Sequence, residues 1–142
     1  MKKILIFSLA YYPKYIGGAE VAIKEITDRI SPADIEFHMI TLLFDRNAPR
    51  EELVGHVHVH RIGFGGAYLL KILFAPLAAL KARSLNKKHN FDALWAMMTY
   101  MLLPVALSRA AGVRAPHALT LQDGDPYEKV FKRWFIRPIV PL

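Results

Sequence analysis

Residues 4–20 read Ile4-Leu5-Ile6-Phe7-Ser8-Leu9-Ala10-Tyr11-Tyr12-Pro13-Lys14-Tyr15-Ile16-Gly17-Gly18-Ala19-Glu20. Ile4 to Leu9 is a β-prone apolar run. It breaks at Tyr11-Tyr12-Pro13, and beyond Gly17-Gly18 the apolar period changes from that of a strand to that of a helix. In that helix Ala19, Ile23, Ile26 and Ile30 recur at steps of four and three and share a face, while Lys24, Glu25, Asp28 and Arg29 fall away from it. Ser31-Pro32 stops it. Strand, loop and helix in this order open a doubly wound sheet, whose ligands lie beyond the carboxyl ends of the strands. A glycine pair entering a helix lets backbone N–H groups approach an anion that the helix N-terminus also favours. Gly17 and Gly18 are therefore candidate phosphate contacts, although a glycine pair also serves as a plain tight turn.

The pattern continues outward. Phe37 to Phe44 reads as a second buried strand, and the charged segment Asp45 to Glu52 connects it to Val57–Ile62, a third strand with one exposed face, expected at the sheet edge. Gly63, Gly65 and Gly66 mark a turn before an apolar helix from Tyr68 to about Lys88, which Pro76 should kink or divide. Phe91 to Met97 is a fourth strand, and Leu102 to Ala111 a helix closed by Gly112. His117 to Leu121 is a fifth strand, running into Gln122-Asp123-Gly124-Asp125-Pro126. This alternation predicts an α/β fold, a Rossmann-like doubly wound parallel sheet.

Composition agrees. A chain of 142 residues suits one domain or part of one, and 54% hydrophobic residues suits a sheet buried on both faces. Without cysteine there is no disulfide or thiolate metal site, which suits a reducing compartment such as the cytoplasm. Lys71, Lys81, Arg83, Pro104, Ser108 and Arg109 interrupt the candidate membrane spans. The start, Met1 to Phe7, reads as a strand and not as a signal peptide. The net charge of +7 suits nucleic acid, anionic lipid or a phosphorylated ligand equally.

The glycines follow neither the Gly-x-Gly-x-x-Gly nor the Walker spacing, which counts against a nucleotide-binding oxidoreductase or a nucleoside triphosphatase. Tyr-Tyr-Pro, a short gap and Gly-Gly-Ala-Glu after Lys-Lys-Ile-Leu-Ile instead resemble the opening of family-4 retaining glycosyltransferases of the GT-B fold. Asp92-Ala93-Leu94-Trp95-Ala96 is similar to the fourth strand of that family, and His117 to Gly124 to its fifth. The resemblance implies that residues 1–142 are an amino-terminal, acceptor-side Rossmann-like domain, incomplete and lacking the carboxyl-terminal donor-binding domain. Such a chain would be inactive alone. It implies a nucleotide sugar as co-substrate, no cofactor, a sugar or lipid-linked acceptor, and Gly17 and Gly18 against the donor diphosphate. Where the family often has a histidine after the fifth strand, this chain has Gln122, followed by Asp123 and Asp125. A carboxylate within reach of a hydroxyl can assist its attack, so Asp123 and Asp125 are catalytic candidates, with an ordinary turn before Pro126 as the alternative. Tyr12, Tyr15, Glu20, Gln122 and Asp123 are the candidate acceptor contacts.

His56, His58 and His60 alternate on one strand about 7 Å apart, awkward for a shared ion, so no metal is expected and the row reads as a solvated edge. The segment Lys129–Arg137 mixes basic and aromatic residues, and Lys132, Arg133, Trp134 and Arg137 are candidates for peripheral contact with an anionic inner membrane face; a helix covering the sheet would look the same. The aromatics fit no RNP or OB pattern, so nucleic acid is not an expected partner. A non-enzymatic Rossmann-like binding module remains the alternative function.

Overall fold

The structure is a computed structural model that describes residues 1–12, 17–63 and 68–120, with backbone alone for residues 68–72. The elements are β1 (Lys2–Phe7), α1 (Gly18–Asp28), β2 (Ile35–Leu42), β3 (Glu51–Val54), β4 (Val57–Ile62), α2 (Tyr68–His89), β5 (Ala93–Met97), a 3-10 turn at Thr99–Met101, α3 (Leu102–Ala110) and β6 (His117–Thr120). They form one six-stranded sheet in the order β3-β4-β2-β1-β5-β6. All neighbours are parallel except β3, which runs antiparallel to β4. Ranked in chain order, the five parallel strands lie third, second, first, fourth, fifth. This is the doubly wound order expected, and the winding reverses between β1 and β5.

The centre of the sheet is buried on both sides, which is why its strands read as continuous apolar runs. On one face Leu5, Phe7, Ile40 and Leu42 pack under α2 and α3 through Phe74, Ala78, Ala82, Leu102 and Val105. On the other Ile6, Phe37, Met39, Val59 and Met97 pack with Tyr11 and with Ile23 of α1. At roughly 1.5–3 kcal/mol per large side chain buried, these two layers dominate the stability.

Four details differ from the sequence reading. The buried stripe of α1 centres on Ile23 and Thr27, and Ile26 is 46% exposed. Thr27 is tolerated there because its hydroxyl donates back to the Ile23 carbonyl at 2.9 Å. The connector after β2 holds a strand, β3, so β4 is not the edge. The hairpin turns at Gly55-His56, with Gly55 at φ 59°, and the charge of Glu51-Glu52 hid it from pattern reading. β2 starts at Ile35 and ends at Leu42, two residues earlier at each end than expected. Finally, α2 continues through Pro76 undivided. Proline removes one helical hydrogen bond, but Phe74, Ala75, Ala78, Ala79, Ala82 and Leu85 seat the helix on either side of it. No helix among the described residues is long and apolar enough to cross a membrane.

Candidate functional site

The winding reverses between β1 and β5, and beyond the carboxyl ends of the strands at such a reversal is where doubly wound sheets bind ligands. On the β1 side the chain is tied down atom by atom. The Leu9 carbonyl accepts from the Leu42 amide at 3.1 Å and from the Thr41 hydroxyl at 2.7 Å. The buried Ser8 hydroxyl donates to the Ala10 carbonyl at 3.0 Å. Tyr11 lies beneath, 3% exposed, with Tyr12 edge-on at 5.4 Å between ring centroids. Burial pushes the Tyr11 phenol up to about 12, so it stays a neutral donor; it faces Thr27 without a well-aligned hydrogen bond. Arg61, at the end of β4, donates to the Tyr12 carbonyl at 3.1 Å and to the Pro49 carbonyl at 2.9 Å, and pairs with Glu52 at 2.8 Å. Its side chain is only 9% exposed, so this guanidinium is a buried peg fixing where the first loop leaves the sheet.

Gly17 and Gly18 are both exposed at the start of α1. Gly17 is extended, at φ −123° and ψ −174°, a conformation any residue adopts, so its backbone angles do not call for glycine. What glycine provides is room. Among the described residues a Cβ at Gly18 would meet nothing within 4 Å, whereas one at Gly17 would lie 2.6 Å from Glu20 Oε2. That oxygen accepts the Gly17 amide at 2.8 Å, so Glu20, a candidate acceptor contact, caps the helix. The first intrahelical bond runs from the Val21 amide to the Gly17 carbonyl at 3.0 Å. The amides of Gly18, Ala19 and Glu20 thus have no helical acceptor behind them and present the positive end of the dipole.

The β5 side carries a feature with no signal in the sequence. Met98, just past the strand, sits at φ 72° and ψ 156°, a region almost reserved for glycine. Its amide is held by the Thr120 carbonyl at 2.9 Å, and its sulfur accepts the Tyr100 hydroxyl at 3.2 Å. Strain of this kind persists only where surrounding contacts over-determine it, and it clusters at ligand sites. Methionine is not a turn-forming residue, so pattern reading passed over it. Tyr15, Gln122, Asp123, Asp125, Lys132, Arg133, Trp134 and Arg137 lie outside the described residues.

A second polar cluster lies on the α2 face of the sheet. His58 is exposed as expected, but His60 is 5% exposed and His38, on β2, 3%. His60 is buried because β3 covers the far side of β4, which corrects the expectation of a solvated row. His56 turns away and donates to the Thr27 and Ile30 carbonyls. His38 Nδ1 lies 3.0 Å from His60 Nε2, and His38 Nε2 lies 2.5 Å from Glu36 Oε1. His89, in the last turn of α2, lies against His38 with the rings tilted by 41° and their centroids 4.3 Å apart. Burial drives His38 down to about 4 against the opposing pull of Glu36, and it lowers His60 and His89 too. Glu36, His38 and His89 offer ligand atoms within 4.8 Å of one another.

The sequence matches the family model described as Glycosyltransferase Family 4 over residues 16–140. No curated protein matches it. Among solved structures, sucrose-phosphate synthase from Thermosynechococcus elongatus superposes with TM-score 0.60 at 14% identity, over 84% of this chain and 32% of that one. Trehalose-6-phosphate from E. coli, bound with UDP-2-fluoro glucose, gives 0.56 at 13% identity, over 96% and 36%. The chain thus spans about a third of the length of these two. The carboxyl-terminal domain of a Pyrococcus furiosus hydrogenase also superposes, with TM-score 0.54 at 14% identity over 84% and 91%, a reminder that one fold serves unrelated chemistries. The family match and the Rossmann-like topology agree, and the chain belongs to glycosyltransferase family 4.

Proposed function

We propose that this domain is the acceptor-side half of a retaining glycosyltransferase that takes a sugar from a nucleotide-sugar donor. The observation that carries the reading is the exposed Gly17-Gly18 pair at the start of α1, with first-turn amides that have no helical acceptor and, among the described residues, no atom within 4 Å of where a Gly18 side chain would begin. An anionic diphosphate gains there from both the amides and the helix dipole, and the leaving charge in the transition state gains more. Glu20 already satisfies the Gly17 amide, so the donor's contacts fall on Gly18 and its successors unless the carboxylate swings away. A donor-binding partner domain would close the cleft from the other side, and the isolated chain would bind donor weakly and turn over nothing. Tyr12, Tyr15, Gln122 and Asp123 would meet the acceptor, with Asp123 or Asp125 receiving the hydroxyl proton. The E. coli structure with UDP-2-fluoro glucose supports a nucleotide sugar as the donor class.

The test is Gly18→Val in a transferase assembled from this domain and its donor half. No described atom lies within 4 Å of a Cβ at Gly18, so the fold should survive while the donor KM rises roughly tenfold or more, the loss of one to two charge-assisted hydrogen bonds. Unchanged donor KM in a folded variant would remove the diphosphate assignment.

A further inference from the structure

The histidine cluster is one hydrogen short. Glu51, His60, His38 and Glu36 form a line of three polar contacts: His60 Nδ1 to Glu51 Oε2 at 3.1 Å, His60 Nε2 to His38 Nδ1 at 3.0 Å, and His38 Nε2 to Glu36 Oε1 at 2.5 Å. Each contact needs one hydrogen between its atoms. Two neutral imidazoles supply two, because each carries a hydrogen on one ring nitrogen only, and ionised carboxylates supply none. One contact must therefore place a lone pair against a lone pair. The structure shows where the deficit falls: His60 Nδ1 is buried and has no well-aligned partner, although Glu51 is close. This matches the tautomer in which His38 Nε2–H donates to Glu36 and His60 Nε2–H donates to His38.

A cation on His38 Nε2 reverses both tautomers and repairs the line. His38 then carries its hydrogen on Nδ1 and donates to His60 Nε2, and His60 carries its own on Nδ1 and donates to Glu51. Every ring nitrogen is satisfied. This is the usual outer arrangement of a metal-bound histidine, whose second nitrogen donates to a fixed acceptor that sets tautomer and ring orientation.

We propose that Glu36, His38 and His89 bind a divalent transition metal of the zinc class, with His60 and Glu51 orienting His38 from behind. Two imidazoles and one carboxylate suit zinc better than calcium or magnesium, which prefer all-oxygen shells. Tetrahedral zinc holds such ligand atoms about 3.3 Å apart. Here His38 Nε2 and Glu36 Oε1 are closer than that, and His89 Nδ1 is 3.8 Å from the same Glu36 oxygen, so opening the first pair and turning His89 completes the set. His89 and Glu36 are only partly buried, which leaves the fourth position to water. Lys3, level with Glu36 in the β1–β2 register, offsets the carboxylate without the ion and must yield to it. The site lies toward the amino-terminal end of β2, where residue 36 is near the strand start, away from the crevice. Its effect is structural: it fastens the last turn of α2 to the sheet.

The experiment titrates Zn²⁺ into the tag-free, chelator-stripped chain by calorimetry and repeats it with Co²⁺ followed by visible absorption. The expected result is one ion per chain, the intense bands of four-coordinate cobalt, and a higher melting temperature with zinc. His89→Ala and Glu36→Gln, both at partly exposed positions that the fold tolerates, should each weaken zinc at least roughly tenfold, and Glu51→Gln, which reaches the ion through His60 and also gives up its pair with Lys81, roughly tenfold. Absence of stoichiometric binding, or folded His89→Ala and Glu36→Gln proteins that bind zinc as tightly as the original, overturns the site. Sugar transfer is not read in this experiment, so its failure would leave the glycosyltransferase reading untouched.

Discussion

The crevice after β1 and the histidine cluster over β2 and β4 are built on opposite principles. The crevice side carries the first-turn amides of α1, which have no helical acceptor, beside a Gly18 with no described atom above it. The cluster hides its unsatisfied nitrogen at His60, 5% exposed, behind a covering strand. Unpaired polarity costs little at the wet mouth, where water serves until a ligand arrives, and costs stability in the buried line. Perturbing the first should therefore change sugar transfer with little effect on folding, and perturbing the buried line at His38 or His60 should change folding with little effect on transfer.

The largest expected effect breaks that contrast from the buried side. An unfolded histidine titrates near 6.5, whereas burial holds His38 at about 4 in the fold, despite Glu36 on one side; His58, His60 and His89 also face it, with Glu51 and Lys81 beyond His60. As pH falls, the unfolded chain takes the proton first. The contribution is intact above about 6.5 and is lost progressively as pH drops toward 4, by ~3 kcal/mol at roughly 1.4 kcal/mol per unit. Urea melts of chelator-treated protein across that window should show the loss, and His38→Gln should flatten it. The same slope in His38→Gln would assign the acid sensitivity to other groups.

Arg61 joins the two regions, since it rises from β4 one residue after His60 and ends on the Tyr12 carbonyl at the crevice. Arg61→Met keeps the packing of the stem but strands Glu52 and the carbonyls of Tyr12 and Pro49. About 2 kcal/mol should go from the unfolding free energy. In the assembled transferase the acceptor KM should rise as well, because the first loop loses its peg. A variant that is destabilised yet transfers normally would show that the loop is held elsewhere.

Much of this was legible in the sequence, and the rest was not, for one physical reason. The strand, loop and helix around Gly17-Gly18, the Gly112 cap and the parallel order come from local turn chemistry and apolar period, which a linear reading sees. His38 and His60 are 22 residues apart and meet only because β2 and β4 are neighbours in register, and His89 arrives from the end of a helix. The strand β3, whose charged residues read as connector, is what takes His60 from surface to interior. The cap made by Glu20 was equally legible in principle, since its position in Gly-Gly-Ala-Glu is the third helical position, from which a carboxylate reaches its own cap.

Met98 gives the smallest effect and the sharpest test of the contrast, because it puts strain at the crevice and not in the core. At φ 72° and ψ 156° a side chain costs roughly 1–3 kcal/mol, and glycine removes that cost while adding about 0.5–1 kcal/mol of unfolded-state entropy. Met98→Gly should therefore stabilise the fold by about 1 kcal/mol, visible as a melting temperature a few degrees higher. If the strained turn positions the Thr99–Met101 segment for the acceptor, the same variant should transfer sugar more slowly, since a glycine there no longer fixes the direction in which the chain leaves β5. Stability gained with activity lost marks strain kept for function. Stability gained with activity unchanged would make the turn a mere consequence of joining β5 to α3 in so few residues.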